Sequence, residues 1–169
     1  MPPLRRTNTT VLLVCEGYAE VELARVIREI FLPRGCGVSL RTENRRGHGG
    51  KAALELALQS QREGGYDRYG VLIDTDQHWT DTERDLARAK GIVAIECAPC
   101  IEAMLLTADS RRVHVRTADN KSEFERAYGG PAHRRGVIER NFPRSKFENA
   151  RAHVTAIERF LALLNLSPP

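Results

Sequence analysis

The stretch GVLIDTDQHW, residues 70–79, constrains the fold more than any other part of the chain. Val71, Leu72 and Ile73 form a short apolar run behind the turn-like Gly64-Gly65-Tyr66-Asp67. That is the pattern of a strand buried on both faces, as in a parallel sheet. The run ends in Asp74-Thr75-Asp76. Side chains alternate along a strand, which predicts Asp74 and Asp76 on one side and Thr75 on the other. Two carboxylates on one face repel each other unless a positive charge lies between them. At the carboxyl end of a parallel strand, where open α/β sheets bind ligands, a hard divalent cation with oxygen ligands fits that role. A solvated turn holding two acids is the plainer alternative.

The flanking pattern repeats strand and helix. Residues 10–15, TVLLVC, form a first buried strand that leads into Glu16-Gly17-Tyr18-Ala19-Glu20. Residues 20–31 carry Val21, Ala24, Ile27, Ile30 and Phe31 at helical spacing, stopped by Pro33 and Gly35. A second strand is expected over 36–42, a helix over 51–62, the acidic strand over 71–76, a helix over about 81–90, a strand over 92–96 and a helix over 99–106. This alternation predicts an α/β fold: a Rossmann-like three-layer sandwich with a mainly parallel sheet of about four strands. The polar stretch 109–142 gives little beyond an edge strand over 111–117. Phe147, Ala150, Val154, Ile157, Phe160, Leu161 and Leu164 then predict one long final helix, N-capped by Ser145, packed on the sheet or on a partner.

The 169 residues suit a single domain, with its core at about 10–106 and a basic, helical C-terminal extension over 107–169. No apolar run reaches membrane-spanning length, and residues 1–10 are polar and basic. The expectation is a cytoplasmic protein without a membrane partner. The net charge of +4 permits a nucleic-acid partner without requiring one. Cys97-Ala98-Pro99-Cys100 has the spacing of a redox pair or half a zinc site, but no second close-spaced pair exists. Two buried, reduced thiols are the favoured reading.

Two strands end in acids, Glu16 after the first and Asp74 with Asp76 after the third. Where such strand ends adjoin, three acids meet, and Glu20 lies one helical turn from Glu16. This set suits Mg²⁺ or Mn²⁺ and the chemistry of phosphoryl transfer, with a free carboxylate as general acid or base. Arg45-Arg46-Gly47-His48-Gly49-Gly50-Lys51 departs from the ATPase phosphate loop: the first Gly of that pattern would fall on Arg45, and Ala52 replaces the hydroxyl residue. A basic, glycine-rich turn before a helix still suits a nucleic-acid phosphate, and equally a plain connector. Arg144 and Lys146 belong to a second basic cluster.

VCEGYAE at 14–20, RRGHGGK at 45–51, IDTDQHW at 73–79 and APCIEAMLL at 98–106 resemble, in this order, the RloB-like branch of the Toprim superfamily, related to overcoming-lysogeny-defect nucleases. The resemblance covers about residues 11–106. It implies a Toprim-like fold, Glu16 as general acid/base or metal ligand, Asp74 and Asp76 as metal ligands, and Glu20 as a further ligand. Glu102 and His78 are additional candidates, each with a bland alternative; Trp79 is read as packing. Arg45, Arg46, Lys51, Arg144 and Lys146 would bind substrate phosphates. The implied function is Mg²⁺- or Mn²⁺-dependent hydrolysis of nucleic-acid phosphodiesters in phage defence or abortive infection. The alternative is a non-cleaving module that binds nucleic acid or a partner ATPase encoded nearby; a homodimer is a further implied assembly.

Overall fold

The computed structural model describes residues 9–166, so most of the basic N-terminal stretch lies outside the described residues. In chain order the elements are β1 (Thr9–Cys15), α1 (Tyr18–Phe31), β2 (Val38–Asn44), α2 (Gly49–Glu63), β3 (Arg68–Asp74) and α3 (Asp81–Ala89), then β4 (Val93–Cys97), α4 (Ile101–Ala108), α5 (Thr117–Tyr128), α6 (Val137–Asn141), α7 (Arg144–Ala150) and α8 (Thr155–Leu163). The strands form one sheet in the order β2-β1-β3-β4, and all three pairings are parallel.

Alternation along the strands divides the core into two layers. Leu12, Val14, Val71 and Ile73 face α2 and meet Ala53, Leu54, Ala57 and Trp79. Val11, Leu13, Cys15 and Leu72 face the opposite way, toward α1, α4 and the C-terminal helices. The expected α/β architecture, a parallel sheet between helical layers with a helical C-terminal extension, is the one observed. Among the described residues no helix is long and apolar enough to cross a membrane.

The final apolar stretch is spent on the sheet: Ile157, Phe160, Leu161 and Leu163 are buried in the layer that holds α1 and α4. It is not one helix. Residues 151–154 break it, and Pro143, not Ser145, stands at the cap of α7. A straight helix over those twenty residues would run about 30 Å. The seven-residue strands beneath it span about 23 Å, so a turn is needed to seat both apolar sets on one core.

Nor do residues 111–117 form an edge strand; residues 111–116 are irregular and Thr117 opens α5. The buried Asn120 side chain takes the backbone groups a neighbouring strand would have used. Its Oδ1 accepts from the His114 amide at 2.8 Å, and its Nδ2 donates to the carbonyls of His114 and Arg116. Helix α5 ends at Gly129 in the left-handed region. Beneath it Phe124 and Tyr128 join Phe142 and Phe147 in an aromatic cluster.

All four cysteines are free, and Cys97 and Cys100 are buried. Burial raises the Cys100 thiol to about 12, which keeps it protonated and unreactive at neutral pH. That agrees with the favoured reading of the pair.

Candidate active site

The carboxyl ends of β1 and β3 adjoin because these strands are neighbours in the sheet. The ladder carries Cys15 opposite Leu72, and the Glu16 amide extends it by donating to the Leu72 carbonyl at 3.0 Å. Glu16 Oε2 in turn accepts from the Asp74 amide at 3.0 Å. Asp74 is tied on its other side, where its Oδ1 accepts from the Ile101 amide at 2.9 Å at the start of α4. Gly17 turns the chain out of β1, and a Cβ there would stand 3.1 Å from Glu20 Oε2. Glu20, in the first turn of α1, and Glu102, in the first turn of α4, are 4% and 5% exposed.

Glu16, Glu20, Asp74 and Glu102 thus line one cleft of about 410 Å³. Burial raises Glu16, Glu20 and Asp74. Glu20 is pushed to about 7, with Glu16 and Glu102 adding repulsion. Asp74 is pushed to about 10 by burial and then by Glu20, Glu102, Glu16 and Asp76. Glu16 is raised more modestly, because the Asp74 amide hydrogen bond stabilises its charge. Burial and the neighbouring carboxylates thus favour the protonated form of Asp74 beside Glu20. Glu102 Oε2 is buried without a partner among the described residues.

Other predicted residues stand around this floor. Asp76 lies two residues beyond the end of β3, exposed, with its Oδ2 accepting from the Thr117 hydroxyl at 2.7 Å. The strand stops at Asp74, so the expected same-side projection along one strand does not apply. Asp76 still repels Glu16 and Asp74 electrostatically. His78 is exposed, packs on Gly49 and favours the Glu16 carboxylate by its charge. Trp79 is packing: it is buried in the α2 layer and its Nε1 donates to Glu96 at 2.7 Å.

The basic residues divide. Arg46 lines the cleft, exposed, at a left-handed φ of 53° held by its amide bond to Asn44 Oδ1. The Arg45 amide donates to the Cys15 carbonyl, and its Nε is buried without a partner. Lys51 is exposed in the first turn of α2. Arg144 and Lys146 are engaged elsewhere: Arg144 pairs with Glu148 and covers Phe31, while Lys146 pairs with Asp109 at 2.6 Å and covers Phe142.

Four lining residues from the C-terminal extension escaped sequence analysis as site residues. Lys121 and Glu125 come from α5, and Pro131 and His133 from the loop after it. Lys121 feels the negative charge of Glu102, Asp74 and Asp76, which favours its ammonium form although burial opposes it. No spacing rule points to it; the one signal that could have suggested a helix there is the i, i+4 pair Phe124 and Tyr128 ahead of Gly129-Gly130-Pro131.

Among the described residues no three Asp, Glu, His or Cys side chains already surround a common point as a finished ligand set. The donor chemistry nonetheless fits a hard divalent ion: all oxygen, mutually repelling, with one buried oxygen unpaired. Comparison of the chain with protein-family models, curated proteins and solved structures returns no significant match.

Proposed function

We propose that this chain is a cytoplasmic, metal-dependent phosphodiester hydrolase of Toprim type acting on nucleic acid. The observation that carries this reading is the convergence of Glu16, Glu20, Asp74 and Glu102 on one cleft, with Glu102 Oε2 unpaired. Two almost fully buried acids, Glu20 and Glu102, with half-buried Asp74 and Glu16 beside them, cost stability when ionised unless a cation compensates them. The exposed rim is richer in positive charge: Arg46 and Lys121 line the same cleft, with Arg134 and Arg135 exposed beside His133, against one exposed acid there, Glu125. An acidic floor under a basic rim suits a phosphodiester, whose charge the rim attracts and whose reaction the floor serves.

Asp74, Glu20 and Glu102 would hold Mg²⁺ or Mn²⁺, with Asp76 at the margin. Such an ion polarises a phosphoryl oxygen and lowers the pKa of an attacking water. Glu16 is the residue suited to move the proton, since its carboxylate is oriented by the Asp74 amide and its proton affinity is raised by burial. Lys121 and Arg46 would neutralise charge on the non-bridging oxygens. A role in phage defence follows from the RloB-like motifs alone.

The test is cleavage of labelled DNA and RNA by the purified chain with Mn²⁺ or Mg²⁺, compared with Asp74→Ala. Loss of at least the roughly 100-fold typical for a metal site's supporting residues is expected. Equal cleavage by the variant removes the site. The second reading, a module that binds nucleic acid or an ATPase without cutting, is favoured by the absence of a finished ligand set among the described residues. Metal binding by calorimetry without cleavage, until a neighbouring ATPase is added, would select it.

A further inference from the structure

The wall of the cleft carries a feature that the chemistry of the floor does not use. Tyr18 is the first residue of α1 and lines the cleft, yet it is 63% exposed, one of the few large apolar side chains left in water. It stands between Gly17 and the acids that α1 contributes, and no ring, cation or hydrogen-bonding side chain engages it among the described residues. Arg46, exposed on the same cleft, has no ion-pair partner among the described residues. Pro131 and the exposed His133 supply two further flat surfaces on the α5 side.

We propose that Tyr18 is a stacking platform for one unpaired nucleobase, so that the site takes single-stranded or locally unpaired nucleic acid rather than intact duplex. This rests on the hydrolase reading for the cleft, and it names the substrate class.

Three observations converge. First, the acids sit at the bottom of a recess; Glu20 and Glu102 are almost fully covered, so a phosphodiester must enter the cleft to reach them. Second, the volume of about 410 Å³ is at the small end of the range for sites that enclose one small ligand, which suits a nucleotide and not a helix. Third, a tyrosine on the wall offers a π-face next to that path. In a duplex both faces of each base are already stacked on neighbours, leaving none for Tyr18. An unpaired nucleotide has a free face, and aromatic stacking tolerates every base. Arg46 then meets a flanking phosphate, so base and backbone are gripped by different groups, as in single-strand binding grooves.

The experiment uses the full chain in Ca²⁺, with a short fluorescein-labelled single strand and a duplex of the same sequence as probes. Anisotropy is measured for the wild type, Tyr18→Phe and Tyr18→Ala. Stacking on an aromatic predicts a loss of roughly 5- to 150-fold in single-strand affinity for Tyr18→Ala. Tyr18→Phe keeps the π-face and should match the wild type, and duplex binding should be the same in all three. Because Tyr18 is exposed, melting temperatures should not move. Single-strand affinity unchanged in Tyr18→Ala, or equal losses for single strand and duplex, would overturn the proposal, as would a wild type that binds neither probe. A parallel cleavage assay in Mn²⁺ separates the two ideas. Cleavage of both probes, indifferent to Tyr18→Ala, removes the platform and leaves the hydrolase. Tyr18-dependent single-strand binding without any cleavage leaves the platform and removes the hydrolase.

Discussion

Glu16 and Asp74 are joined by a hydrogen bond from the Asp74 amide to Glu16 Oε2, 3.0 Å long, across the ends of two neighbouring parallel strands. The bond orients the Glu16 carboxylate by backbone, which no side-chain rotation of Asp74 can disturb. It also leaves the Asp74 carboxyl free to face Glu20 and Glu102. In the proposed hydrolase, one contact would separate two tasks, proton transfer at Glu16 and metal ligation at Asp74.

That separation makes Glu16→Gln informative. The amide oxygen of Gln still accepts from the Asp74 backbone, so the fold and the cleft should persist. Proton transfer is lost, and general acid–base catalysis is typically worth 10²–10⁴-fold. Cleavage in Mn²⁺ should fall within about that range while the melting temperature stays within a degree or two. A Gln variant as active as the wild type would transfer the proton role away from Glu16.

The acids also set a pH dependence for the chain without divalent ion. Folding raises Glu20 from 4.5 to about 7 and Asp74 from 3.8 to about 10. The folded state thus binds more protons than the unfolded one, and the contribution of these groups to stability falls as pH rises. The fall begins near pH 4. It ends for Glu20 above about pH 7 and for Asp74 above about pH 10. In EDTA, melting temperatures at pH 5 and pH 8 should therefore differ more in the wild type than in Asp74→Asn, which cannot ionise. Mn²⁺ at pH 8 should recover the deficit in the wild type alone. Parallel profiles for the two proteins would show that the acids are not coupled as described.

Lys121 faces the same acids from α5 and feels Glu102 first. With an ion on the acids, its charge is available to a phosphoryl oxygen, and removal of one such positioned donor costs about 10²–10³ in kcat. Lys121→Ala should lose activity on that scale, and Lys121→Arg should recover part of it. The apo protein supplies an independent readout. There Lys121 offsets repulsion, so Lys121→Ala should lower the melting temperature in EDTA and have less effect with Mn²⁺ present. A variant unaffected in both conditions would place Lys121 outside the site.

How much of this was legible in the sequence depends on where the signal is written. The parallel sheet was legible because strands buried on both faces read as continuous apolar runs, Val11–Cys15 and Val71–Ile73. The acids at both strand ends suggested that β1 and β3 could adjoin, but the strand order itself is a matter of pairing. The end of β3 at Asp74 was not legible, since its last ladder partner is Cys97 and pairing lies in the register, not in the run itself. The extension was obscured for two reasons. Asn120 satisfies the backbone of residues 114–116 by a side-chain network that no periodicity reveals. Lys121 reaches the cleft only because α5 folds back over α4, a tertiary fact. Arg144 and Lys146 looked free because their partners, Glu148 four residues on and Asp109 far upstream, look like ordinary surface acids.

The extension is also what the sheet leans on, and one glycine makes that contact close. A Cβ built at Gly70 in β3 would lie 2.6 Å from Leu163 Cδ2 of α8, and 3.3 Å from both Leu13 Cδ1 and the Val93 carbonyl oxygen. The Leu163 methyl lies at the far end of a side chain, but Leu163 is buried and the Val93 oxygen is backbone, so relief is limited. Gly70→Ala is overpacking of a filled core, which costs about 1–3 kcal/mol. For a chain of this size that lowers the melting temperature by roughly 2–4 °C per kcal/mol. Leu163→Ala alone should destabilise by leaving a cavity, about 2–5 kcal/mol. Combined with Gly70→Ala, it should cost less than the sum, because the new methyl enters the space the leucine vacates. Thermal melts of the two single variants and the double variant measure that coupling. Strict additivity would show that α8 does not seat on Gly70.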